Sequence, residues 1–122
     1  MPTPVLTSLF SFNGQNGAFP DGGLFVDASG NLIGTTNSDL ADGDGTVFEL
    51  SKSGNTYAPL TLVNFNGQNG AFPFGDLIAD TAGDLFGTTN AGGTKQDGTV
   101  FEVVQTSHDL ALIGAAVASR LR

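Results

Sequence analysis

The chain has 122 residues, 18 of them glycine and 10 phenylalanine, with neither cysteine nor tryptophan. Four basic residues stand against twelve acidic ones, a net charge of -8; nucleic acid and anionic membrane surfaces need a basic face, so neither is expected as a partner. The lack of cysteine excludes disulfides, zinc-thiolate sites and iron–sulfur clusters, and no apolar run approaches the roughly 18 residues of a membrane helix, so no membrane insertion is expected.

Residues 1–12 read as an amino-terminal strand. Pro2 and Pro4 keep its lead-in extended. Leu6, Ser8, Phe10 and Phe12 share one face of Val5–Phe12, and Val5, Thr7, Leu9 and Ser11 share the other, so both faces carry apolar residues. This segment lacks the basic and apolar pattern of a signal peptide. Asn13–Pro20 follows as a loop whose Asn and Gly residues suggest positive-φ turns, with the Phe19 ring expected to plug the sheet. Leu24–Val26 and Asn31–Thr36 form a hairpin around an Asp27 turn, where an aspartate oxygen bonds the backbone N–H two residues on. A polar loop leads to a β-branched and aromatic strand, Gly45–Ser51. Lys52–Thr56 is a turn, and Tyr57–Phe65 a fourth strand.

The chain then repeats itself. Phe12–Pro20 recurs unchanged as Phe65–Pro73, Gly34–Asn37 as Gly87–Asn90, and Asp44–Glu49 as Asp97–Glu102. Every offset is 53, and 25 of the 42 positions from Leu9 to Leu50 are identical in the second copy. Such a period marks stacked supersecondary units. The units are 13–65 and 66–122, each with four antiparallel strands as in a propeller blade or a similar meander. Val5–Phe12 and Leu110–Ala118 both align with the fourth strand. The latter copy is degenerate, and a short helix is its competing reading. Leu24, Phe48, Leu77 and Phe101 are the expected core, with Phe48 and Phe101 buried at matching positions.

The run Gly23–Thr36, with its Asp turn and Gly-Thr-Thr end, followed by Gly45-Thr-Val-Phe-Glu-Leu50, resembles the Gloeo/Verruco (GloVer) repeat of bacterial secreted proteins of the choice-of-anchor type. The resemblance implies an extracellular or cell-surface β-repeat protein without known catalytic activity, and supplies no catalytic residues.

The residues themselves agree that this is no enzyme and needs no cofactor. Glu49 and Glu102 could in principle be the paired carboxylates of glycoside hydrolysis, but each is expected to be a solvent-facing strand residue, repeated because the unit is. Asp39, Asp42 and Asp44 are weak calcium candidates; only Asp44 has a carboxylate counterpart, Asp97, so a polar loop is the default. His108 is the one histidine available to a nucleophilic triad, and it lies in a turn. Gln15, Asn16, Gln68 and Asn69 could meet sugar hydroxyls, yet the chain lacks the Trp and Tyr faces on which sugars stack.

The expected fold is therefore all-β: two tandem four-stranded units with an extra strand at the amino end. Two blades cannot close a propeller, which takes four or more. Open edges and apolar faces favour association, and Lys52 and Lys95 offer little edge protection. The expected function is structural: identical protomers adding head to tail through Val5, Leu6, Leu9, Phe10 and Phe12 into an extracellular filament. The alternative is a closed, glycan-binding ring of protomers, a lectin-like propeller with carbohydrate as its partner.

Overall fold

The computed structural model describes residues 3–38 and 43–104. Seven strands form there: β1 (Phe25–Val26), β2 (Leu32–Thr36), β3 (Thr46–Ser53), β4 (Thr56–Asn64), β5 (Ala71–Ala79), β6 (Leu85–Ala91) and β7 (Thr99–Val103). They make two antiparallel meanders, β1-β2-β3-β4 and β5-β6-β7. The fold is all-β, and the sheets do not close into a barrel. Leu110–Ala118 lies outside the described residues. Val5–Phe12 does not form the expected extra strand: no residue of this segment belongs to either sheet. Its counterpart β4 pairs with β3 of its own unit, whereas among the described residues no strand edge is paired with Val5–Phe12.

Local chemistry fixes the hairpins. Asp27 Oδ1 accepts from the backbone N–H of Ser29 and of Asn31, both at 2.9 Å. Asp80 does the same for Ala82 and Asp84, both at 3.0 Å. An aspartate that caps its own turn favours this bend over a continuing strand. Asn31 then ties the turn to β3, its Oδ1 accepting from the Lys52 N–H at 2.8 Å. The Gly-Thr-Thr strands are stitched to their neighbours by hydroxyl pairs. Thr36 Oγ1 lies 2.7 Å from Thr46 Oγ1, and Thr89 Oγ1 lies 2.8 Å from Thr99 Oγ1. In each pair the β2 or β6 hydroxyl also donates to a backbone carbonyl, of Ser38 or of Ala91. These buried hydroxyls are thereby satisfied, which avoids the roughly 1–3 kcal/mol typical of a stranded polar group.

The glycine of Gly-Thr-Thr makes room for a ring. A Cβ on Gly34 would stand 2.9 Å from Phe48 Cζ, and one on Gly87 2.6 Å from Phe101 Cζ. Each phenylalanine therefore places its ring over the opposed glycine of the neighbouring strand, its register partner.

Pairing also sorts the side chains by face. In the first sheet Ile33 opposes Glu49 and Thr35 opposes Val47 on one face, while Leu32 opposes Leu50 and Gly34 opposes Phe48 on the other. The first of these faces turns toward the second sheet. There Ile33, Val47, Phe65, Leu77 and Leu85 form one buried cluster, with Phe101 and Val103 packed against it. The second sheet contributes its Leu85/Gly87/Phe101 face, the equivalent of Leu32/Gly34/Phe48. The two units thus stack front to back, each using a different face.

That asymmetry corrects three sequence expectations. Leu24 is 60% exposed, although its counterpart Leu77 is 6% exposed: among the described residues no second sheet lies on the Leu24 face of the first sheet. Phe48 is buried, whereas Phe101 is only half-buried. Glu49 faces the second sheet and is buried rather than solvent-facing, while Glu102 is exposed. Phe19 and Phe72 do not plug the sheet either. Both have left-handed backbone, with φ of 58° and 56°, which turns the rings outward, and the neighbouring Ala71 and Pro73 are buried instead. A bulky residue at positive φ is uncommon and is held there by its surroundings. Here the Phe19 carbonyl accepts from Asn37 N–H at 2.9 Å, and Phe72 N–H donates to the Asp44 carbonyl at 2.8 Å.

Candidate assembly interface

The amino-terminal segment crosses the open face of the first sheet. The Phe12 ring meets Phe48 edge-on, with centroids 5.0 Å apart and planes at 71°. Phe10 meets Phe12 in turn, at 5.0 Å and 86°. One unit later Phe65 meets Phe101 at 5.3 Å and 62°. These are equivalent contacts, 53 residues apart. Such edge-to-face pairs contribute about 0.5–1.5 kcal/mol beyond area burial. Phe65 ends β4 and leads into the second unit, so Phe12 sits where the end of a preceding β4 would sit. Upstream of it the segment is released: Val5 and Leu6 are almost wholly exposed and Leu9 is 47% exposed. Between the segment and the sheet runs a groove of about 310 Å³, lined by Leu9, Phe10, Leu24, Leu32 and Phe48 among others.

At the far end of the molecule, β7 pairs with β6 on one side only; among the described residues its outer edge has no strand partner. In the first unit the corresponding edge of β3 carries β4 along its whole length.

One contributor to the joint between the sheets escaped sequence reading. Asp76 Oδ1 accepts from Gly23 N–H at 2.7 Å, linking the two units. A Cβ on Gly22 would stand 2.5 Å from the Gly75 carbonyl oxygen, so the paired glycines let β5 approach closely. The available signal was a break in the repeat: Asp21-Gly22-Gly23 faces Phe74-Gly75-Asp76 in the alignment.

The other candidates do not converge. Glu49 lies beneath the second sheet and Glu102 on that sheet's exposed opposite side. Asp44 serves through its backbone carbonyl, while Asp39, Asp42 and His108 lie outside the described residues. The Asn-rich loops are occupied internally. Asn13 Oδ1 accepts from Gln15 and Asn16 N–H, and Asn16 Oδ1 accepts from Asn13 N–H at 2.9 Å. Asn66 and Asn69 repeat the arrangement. The asparagines therefore cap the loop, rather than adopting the positive φ expected of them, and glycines and Phe19 and Phe72 adopt it instead. A second cavity, about 300 Å³, separates the Asp27 and Asp80 turns; both aspartates already cap those turns.

The repeated Phe-on-Phe contact and the repeated hairpin chemistry define one unit used twice. The family model of the Gloeobacter/Verrucomicrobia repeat matches residues 1–115. The chain belongs to the Gloeobacter/Verrucomicrobia repeat family. Comparison with curated proteins gave no match, and comparison with solved structures gave none. The match includes Val5–Phe12, so the segment falls within the span of the Gloeobacter/Verrucomicrobia repeat model.

Proposed function

We propose that the protein is a non-enzymatic, structural β-repeat of the bacterial cell surface or exterior, which assembles head to tail by strand addition. Val5–Phe12 of one protomer adds to the outer edge of β7 of the next. The observation that carries this reading is the seating of Phe12 on Phe48, as Phe65 sits on Phe101, with Val5–Leu9 outside either sheet and exposed. Among the described residues, a segment placed as the end of a β4 has no paired β3, and the outer edge of β7 has no paired β4. Strand addition satisfies the backbone ladder of such an edge and seats alternate side chains.

The register follows from the β3–β4 pairing. Shifted by one repeat, Thr99 lies opposite Ser11, Val100 opposite Phe10, Phe101 opposite Ser8, Glu102 opposite Thr7 and Val103 opposite Leu6. Donor and acceptor are different surfaces, so the contact is heterologous. It propagates as a filament, or forms a ring if the rotation closes. The surface location rests on the resemblance of the Gly23–Thr36 and Gly45–Leu50 motifs to the repeat of bacterial secreted proteins. The glycan-binding ring has weaker support, because Asn16 and Asn69, two of the loop amides that would meet sugars, accept from the backbone of their own loops.

Deleting residues 1–12 tests this. Negative-stain microscopy of the intact protein is expected to show ordered polymers, and the truncated protein none. The same polymers from the truncated chain would place the joint elsewhere.

A further inference from the structure

The joint between the two sheets has two halves. One is the Ile33/Val47 face of the first sheet, where both residues are fully buried; the other is the Leu77/Leu85 face of the second sheet, also buried. Each half occurs a second time without a second sheet against it among the described residues. On the second sheet Val100 occupies the position of Val47 and is 82% exposed. Ile78 occupies the position of Phe25 and is 66% exposed, and Phe86 stands at the position of Ile33. On the first sheet, Leu24 occupies the position of Leu77 and is largely exposed, while Leu32 is half-buried and Phe48, met by the Phe12 ring, is buried.

We propose that these two faces dock on each other between copies of this chain, around the Phe12 ring that already lies on the first sheet. The Ile78/Phe86/Val100 face of one protomer covers the Leu24/Leu32/Phe48 face of a second, in the arrangement the two sheets already have within one chain. The inference rests on the self-association reading and deepens it, adding a sheet-to-sheet contact to the strand edge. The occupant is named by the molecule itself, because the covered copy of each half shows which surface fits it. Twenty-five identities between the units keep the two halves alike. Valine replaces valine at 47 and 100, leucine replaces leucine at 24 and 77, and phenylalanine lies across glycine on both acceptor faces. Even the aromatic wedge is in place: Phe65 belongs to the buried cluster of the internal joint, and Phe12 already occupies the corresponding position against Phe48. Glu102 comes to lie where Glu49 lies, beneath the neighbouring sheet. Faces of this kind left open on a protein mark interaction surfaces.

The chain has no cysteine, so single reporter thiols are clean. Val100→Cys and Leu24→Cys proteins, mixed in equal amounts and treated with a short bismaleimide, are expected to give covalent dimers several-fold above either variant alone. A head-to-tail joint brings unlike positions together. As a second measurement, Val100→Lys places an ammonium in the joint and is expected to weaken self-association at least about tenfold, with an unchanged melting curve because Val100 is exposed in the protomer. If the intact chain stays monomeric, self-association fails and this joint with it. If the chain assembles, but Val100→Lys assembles equally well or Val100→Cys cross-links as well alone as in the mixture, the strand edge survives and the face joint is wrong.

Discussion

Val47→Asp is expected to unfold the protein, and Val100→Asp to leave it folded. The two valines are equivalent in the repeat and lie in matching strands, but Val47 is fully buried under the second sheet and Val100 is open to water. An aspartate at 47 removes an apolar contact and buries a carboxylate among Ile33, Phe65, Leu77 and Leu85. The cost of an isolated buried charge is several kcal/mol, even after relaxation, against a total stability of about 5–15 kcal/mol for a domain. At position 100 the carboxylate keeps its hydration, so a change within about 0.5 kcal/mol is expected. Urea unfolding followed by circular dichroism separates the two. A Val47→Asp protein with a near-native midpoint would mean that the sheets do not form a dry joint.

Phe65→Ala is the second large effect, with an expected loss of about 3–5 kcal/mol. Phe65 is only 2% exposed. It joins β4 to the second unit, its N–H donates to the Gly45 carbonyl at 2.9 Å, and its ring meets Phe101 edge-on. Truncation leaves a void between both sheets that neither can fill without shifting. Phe12→Ala, the same substitution one repeat earlier, removes a half-buried ring and is expected to cost about 1–2 kcal/mol in the protomer, near the centre of the range for single substitutions. Equal losses at the two sites, measured by chemical denaturation, would contradict the distinct roles given to these rings.

What is legible in the sequence is whatever local chemistry decides. The Asp27 and Asp80 turns depend on a side chain and backbone atoms two to four residues away, so they can be read directly. The 53-residue repeat makes the strand order legible too, and with it the all-β fold. Burial is less so. Leu24 and Leu77 are the same residue in the same local sequence, and only the placement of the neighbouring sheet makes one exposed and the other buried. Glu49 departs from its expected place for the same reason. Alternation along β3 says that Glu49 and Val47 share a face, but not that a second sheet covers it. Phe19 and Phe72 turn outward because their backbone is left-handed, a state that a phenylalanine's own preferences disfavour. The Asp76–Gly23 link is hidden because it arises where the two copies differ, and a repeat shows itself where they agree. The assembly segment is legible as a spare β4, though its seat on Phe48 is not.

Sedimentation velocity of the intact chain over a wide concentration range tests head-to-tail self-association most directly. Protomers of charge -8 repel one another, and added salt screens that repulsion, so two ionic strengths should be compared. The account predicts species of three and more copies that grow with concentration and are favoured by salt. A single monomer boundary at every concentration, or a dimer that takes up no third copy, would contradict it.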